Sequence, residues 1–169
     1  MEAKHPSESL TILTDLVLTG ETNSLNNMFG GELLARMDRA AGISAGRHSR
    51  QVVVTASVNH VAFSKSIPLG SVVTVEAKVS RAFTSSMEVV IDVWIEDRKS
   101  GEKTSANQAI YTFVAVDKNG DPVPVPPVAP QTPLEQQRYD AALRRKQLSL
   151  VLAGKMKPDD ATELRALFV

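Results

Sequence analysis

A chain of 169 residues, 43% of them hydrophobic, is long enough to bury one sizeable core and short enough to expect a single compact unit. Nineteen basic side chains balance nineteen acidic ones, which excludes a global pull toward nucleic acid or an anionic membrane, so a phosphate-bearing ligand has to be met by a local patch. The absence of cysteine removes disulfides, thiolate nucleophiles and most structural zinc sites, and suits a reducing compartment, so the cytoplasm is the expected location.

The opening residues Met1 to Pro6 are polar, without the apolar run of a signal peptide, and no stretch approaches the roughly 20 apolar residues of a membrane span. The expectation is a protein neither exported nor membrane-spanning, with His5 in a disordered start. Ser9 to Leu18 is apolar and β-leaning and stops at Gly20, which predicts a first strand. Glu21 to Asn27 is a polar, asparagine-rich loop, followed by the pair Gly30 and Gly31. From about Gly31 to Arg47 the helix formers Leu33, Leu34, Ala35, Met37, Ala40 and Ala41 run without a proline and predict the main helix. His48 follows at its C-terminal end, where a cation complements the dipole.

Past Ser49 the period changes. Gln51 to Phe63 is rich in Val and Thr and predicts a strand containing a structural His60. Val73, Val75, Ala77 and Val79 alternate with polar partners, as do Met87, Val89, Ile91, Val93 and Ile95, giving two strands with one apolar face each. A last strand covers about Thr104 to Val116, closed by the turn-prone Asp117 to Asp121. Pro122 to Pro133 reads as a rigid connector, and Leu134 to Ala153 as a second helix. One strand, one long helix and four strands make an α+β pattern in which an antiparallel sheet wraps around a single helix. Residues 1–130 form that unit and residues 131–169 a helical extension; no internal repeat is visible.

On a wheel of 100° per residue, Gly31, Leu34, Ala35, Ala41, Gly42 and Ala45 lie within about 60° of Asp38. Glu32, Arg36, Arg39 and Arg47 fall on the opposite side, toward solvent, and Glu32 is the helical partner expected for Arg36. Asp38 has no such partner. Two readings of it stand side by side. It is a carboxylate at the margin of the buried face, or it is a poorly hydrated carboxylate with room beside it for a substrate and a water to activate. The pattern by itself favours the first.

The segment Asn23-Ser24-Leu25-Asn26-Asn27-Met28-Phe29-Gly30-Gly31-Glu32-Leu33-Leu34-Ala35-Arg36-Met37-Asp38 closely resembles the N-x-x-G-N-x-F-G-G-x-L-L-x-x-M-D signature of hotdog-fold acyl-CoA hydrolases. The resemblance continues through Ala41-Gly42-Ile43, Arg47-His48, Val53 to Phe63, Arg81 to Val93, Ala115-Val116-Asp117 and Val125-Pro126-Pro127, covering roughly residues 9–145. It implies a hotdog fold and hydrolysis of fatty acyl-CoA to fatty acid and CoA. Asp38 is then the general base or nucleophile, and Asn23 of a second subunit orients the water or the thioester carbonyl. It also implies a homodimer, extended to a trimer of dimers. Gly30 and Gly31 offer backbone N–H groups to developing negative charge. Arg81, Thr84, Ser85 and Ser86 match the stretch near the pantetheine and phosphate path, and Lys65, following the second strand, is a further candidate for the phosphates, although Phe83-Thr84 stands where relatives have Gly-Arg and Ser66 where they have proline.

The resemblance turns the balance for Asp38 toward catalysis. Two alternatives remain: a non-catalytic acyl-CoA sensor, and a hotdog dehydratase or hydratase, which needs a histidine paired with an acid. No histidine here stands in such a context. No His-Glu-x-x-His or cysteine cluster suggests a metal, and no Gly-x-Ser-x-Gly elbow suggests a serine nucleophile, so no cofactor is expected.

Overall fold

The computed structural model describes residues 1–169. Five strands, β1 (Thr11–Leu16), β2 (Val52–Asn59), β3 (Val72–Ala82), β4 (Ser86–Glu96) and β5 (Lys103–Val116), form one antiparallel sheet in the order β1-β3-β4-β5-β2. The helix α1 (Gly30–Ser49) packs on one face. Parity decides which residues meet it. Val73, Val75, Ala77 and Val79 of β3, Met87, Val89, Ile91 and Val93 of β4, and Ala109, Tyr111, Phe113 and Ala115 of β5 are buried. Across them Met37, Ala40, Ala41 and Ala45 close the core with no exposure. The many small residues on α1 let the helix sit close to a curled sheet. This is the expected wrapping of sheet around helix.

Three irregularities interrupt the ladders: between Thr55 and Ser57 in β2, between Val79 and Arg81 in β3, and at Ala106 of β5, opposite Val93 and Trp94. Such bulges bend a strand and change where a neighbouring side chain points. The opposite face of the sheet is crossed by α2 (Pro133–Leu152), which starts at a Thr132–Glu135 capping box that satisfies exposed N–H groups at both ends of the turn. Three ion pairs hold it there: Lys78–Glu135, Arg138–Asp92 and Arg145–Glu88. A short α3 (Thr162–Arg165) folds back, and the amide of Leu164 donates to Gln147 of α2. No helix is long and apolar enough to cross a membrane.

Four local expectations are corrected. The first residues are ordered: Lys4 N donates to Pro127 O, Ala129 N donates to Lys4 O, and the His5 ring meets the Ala129 carbonyl at 2.9 Å. Extended chain satisfies extended chain, so the start of the protein and the proline-rich segment hold each other. Arg36 is buried rather than solvent-facing, and its partners are Glu21 Oε2 at 2.8 Å and the Leu16 carbonyl at 2.7 Å rather than Glu32. The loop after β1 covers that side of the helix, which a wheel cannot show. His48 is fully buried, with Nε2 2.7 Å from Pro126 O, and desolvation pushes its ring below the usual imidazole range despite that bond. It sits there neutral rather than as a cation at the helix end. His60 lies past the end of β2, exposed, with φ of 55°.

Candidate active site

Asp38 lies on the third turn of α1, half-buried. It is not unpartnered. Thr55 of β2 reaches across from the neighbouring strand, and its Oγ1 donates to Asp38 Oδ1 at 2.7 Å. A hydroxyl-to-carboxylate bond this short is charge-assisted and holds one oxygen in a fixed direction. Thr55 sits opposite Phe113 and immediately before the β2 bulge. The ring of Phe113 lies beside Gly42, where an added Cβ would meet it at 3.6 Å, and stacks on Tyr111 with centroids 6.5 Å apart. Tyr111 is buried, and its hydroxyl donates to the Leu34 carbonyl at 3.0 Å. Burial, and then the negative charge of Asp38, push the Tyr111 phenol up to about 12, so it remains a neutral donor at any working pH.

The other expected site residues divide into two places. Asn23, Gly30 and Lys65 line one hollow of about 480 Å³ together with Phe63 and Ile67. Asn23 Oδ1 accepts from Leu25 N at 2.9 Å and Asn27 N at 3.2 Å. The loop is closed by the side-chain oxygen, and the amide nitrogen remains free to donate. The Gly30 and Gly31 N–H groups have no i−4 carbonyl and no capping side chain, since the N-cap is Phe29. They are unpaired donors at the positive end of α1. Space at position 30 is tight: an added Cβ would stand 3.1 Å from Phe63 Cζ, so that ring would have to shift.

At the β3–β4 turn, Arg81 donates to the Tyr139 carbonyl at 3.1 Å and lies over the Tyr139 ring at 4.0 Å. Thr84 is exposed, Ser85 is half-buried, and Ser86 is buried on the wall of a separate cavity of about 210 Å³ beneath α2. The chain therefore does not gather all its candidates. Asp38 stands eight residues after Gly30 in the helix, about 12 Å of rise, so the glycine turn and the carboxylate of one chain do not share a reacting atom. No group of three or more His, Asp or Glu side chains is placed to hold a metal ion.

Thr55 and Tyr111 were not among the expected residues. Thr55 carries almost no signal, since Ser57 shares its parity in the same valine-rich stretch. Tyr111 carries none, because an aromatic on an inward strand position reads as core.

A family model described as the thioesterase superfamily matches residues 25–102. A Bacillus subtilis protein named as an uncharacterized acyl-CoA thioester hydrolase, YkhA, is 42% identical over 85% of this chain and 84% of its own. The chain belongs to the hotdog-fold acyl-CoA thioesterases. Solved structures agree with that placement. A hexameric acyl-CoA thioesterase superposes with a TM-score of 0.87 at 38% identity, covering 90% of this chain and 98% of the other. An acyl-CoA hydrolase of Staphylococcus aureus, solved with butyryl-CoA and CoA, gives 0.83 at 37% identity over 97% and 99%. That S. aureus enzyme has also been solved with an aspartate, a threonine and an asparagine each changed to alanine. Its asparagine stands 15 residues before the aspartate and its threonine 17 after. Asn23, Asp38 and Thr55 keep those same spacings here.

Proposed function

We propose that this thioesterase hydrolyses fatty acyl-CoA with Asp38 as general base, its carboxylate aimed by Thr55, at a site completed by Asn23 and the Gly30–Gly31 turn of a second copy. The observation that carries the reading is the 2.7 Å bond from Thr55 Oγ1 to Asp38 Oδ1: one oxygen is fixed and the other is left to take a proton from water. As that water attacks the thioester carbon, the carbonyl oxygen becomes an oxyanion and the C–S bond then breaks. The sulfur leaves as CoA thiolate and is protonated, and the acyl group leaves as the free acid. The oxyanion needs donors already in place, and unpaired N–H groups at a helix start supply them.

The 12 Å separation along α1 supports drawing those donors from the partner. Both edges of the sheet are open in one chain. At the β2 edge, Val52 and Val54 are 67% and 47% exposed, and a second β2 would relieve that edge beside Asp38. We extend the dimer to a trimer of dimers, in line with the hexameric relative. Lys65 at the rim of the hollow, and Arg81, Thr84, Ser85 and Ser86 at the β3–β4 turn, are proposed to meet the CoA phosphates. Residues 131–169 are proposed as an extension laid over the outer face of the 1–130 unit, and the enzyme is placed in the cytoplasm. No histidine side chain is hydrogen-bonded to an acidic one, which favours hydrolysis over the histidine-dependent dehydratase reading.

A positioned base contributes roughly 10²- to 10⁴-fold and one oxyanion donor about 2.7–4 kcal/mol. Asp38→Asn should therefore lower kcat for thiol release from acyl-CoA by roughly a hundredfold or more while the protein stays folded. Retention of activity within about twofold across several chain lengths would overturn the assignment.

A further inference from the structure

We infer that Tyr111 is a positioning residue for the hydrolysis, locking the helical turn that carries Asp38 to the central part of the sheet. The inference rests on the catalytic reading of Asp38. It starts from the atom Tyr111 chooses. Its hydroxyl donates to the carbonyl of Leu34 at 3.0 Å, and Leu34 stands four residues before Asp38 in an unbroken helix. That carbonyl is the helical acceptor of the Asp38 amide. One oxygen therefore receives both the main-chain N–H of Asp38 and a phenol from β5. The base is held twice: at its carboxylate by Thr55 of β2, and at its backbone by Tyr111 of β5.

The two strands are neighbours, and the two posts are adjacent in register, with Tyr111 opposite Val58 and Thr55 opposite Phe113. A buried phenyl ring would fill the same space as Tyr111, which is 1% exposed. Packing alone gives no reason for the hydroxyl. Nor does the hydroxyl serve as an acid: it is occupied by Leu34, and burial together with the Asp38 charge holds its proton on. What is left is geometry. Helix carbonyls tilt and their bonds lengthen where nothing else restrains them, and a carboxylate two bonds beyond that backbone follows the tilt.

Tyr111→Phe keeps the ring and removes only the donor. The expected result is a fall in kcat of about fivefold, the scale of one hydrogen bond, with KM unchanged and the acid limb of the pH–rate profile in place. The decisive measurement is a cycle with Asp38→Asn. If Tyr111 acts through Asp38, adding Tyr111→Phe to Asp38→Asn costs nothing further. A loss in kcat that persists undiminished in the Asp38→Asn background would overturn the inference, as would a Tyr111→Phe enzyme within about 1.5-fold of wild type. Full activity in Asp38→Asn alone would instead defeat the catalytic reading, a separate outcome. Should Tyr111→Phe fold poorly, the Tyr111 hydroxyl proton in the full-length wild-type protein offers an independent check. Held by the Leu34 carbonyl, it should be seen by NMR as a slowly exchanging resonance near the Leu34 and Asp38 backbone, and a freely exchanging hydroxyl would overturn the lock.

Discussion

Replacing Thr55 by valine removes one hydroxyl from the site and almost nothing else. The two side chains have nearly the same shape, both suit a strand, and Thr55 already sits in a ladder with Phe113. The bond lost is the 2.7 Å contact to Asp38 Oδ1. Hydrogen bonds to charged groups contribute roughly 1.5–3 kcal/mol. In the single chain Thr55 is exposed and Asp38 half-buried, so water competes, and the lower end, about 1.5 kcal/mol, is the appropriate figure, equivalent to roughly tenfold in rate. The loss should fall on kcat, because a carboxylate free to rotate is less often aimed at the water, whereas nothing in the bond touches the CoA. Release of CoA thiol from butyryl-CoA and from longer chains, followed at saturation and under kcat/KM conditions, separates the two. Thr55→Ser should recover most of the activity, since it restores the donor. Wild-type kcat in Thr55→Val, or an equal loss in Thr55→Ser, would refute the positioning argument.

His48 and Arg145 give two stability predictions. Because burial lowers the His48 pKa in the folded chain below its usual 6.5, the unfolded chain takes up a proton first as pH falls through about 6.5. Folding stability is then lost with acidity below that point and is complete above it. Thermal melts from pH 8 to 5.5 should show a steeper decline in wild type than in His48→Gln, and parallel declines would count against the assignment. Arg145→Met leaves the buried Glu88 carboxylate without its 2.8 and 2.7 Å bonds, retaining only Ser80. Arg145 is 35% exposed, so about 2 kcal/mol is expected rather than the roughly 3–5 of a fully buried pair, or about 4–8 °C in Tm. Adding Glu88→Gln should restore part of it, and calorimetry on the three variants decides.

The parts of this protein that could be read from its sequence are those fixed by one segment's own periodicity. The alternation from Val73 to Val79 names the inward face of β3 because a period of two admits no other face once one side is buried. The small-residue stripe of α1 predicts close approach to a sheet for a similar reason. What could not be read depends on segments distant in the chain. Arg36 takes Glu21 rather than Glu32 because the loop after β1 crosses the helix. His48 is neutral because the fold buries it, despite the carbonyl of Pro126, 78 residues later, that its ring meets. Asp38 looked unpartnered because the wheel contains only the helix, and its partner is on a strand whose parity is broken by the bulge after Thr55. The motif could point to Asp38 and Asn23 as chemistry drawn from two subunits, but the bond from Thr55 to Asp38 is visible only in the fold.

The proposed division of the site between two subunits bears on which edge of the sheet a second copy should use. β1 is the shorter edge, and its last residues turn into the loop held by Arg36, whose guanidinium bonds the Leu16 carbonyl. β2 is longer, and it carries Val52, Val54 and Val58 in exposed positions and bears Thr55. Pairing through β1 would leave the Asp38–Thr55 bond facing water on the far side of the sheet. Pairing through β2 would cover it, and removing water strengthens both the hydroxyl–carboxylate bond and any N–H donors brought up by the partner. On this argument the edge that most needs covering and the carboxylate that most gains from cover are the same place, so dissociation of the dimer should cost activity before it costs folding.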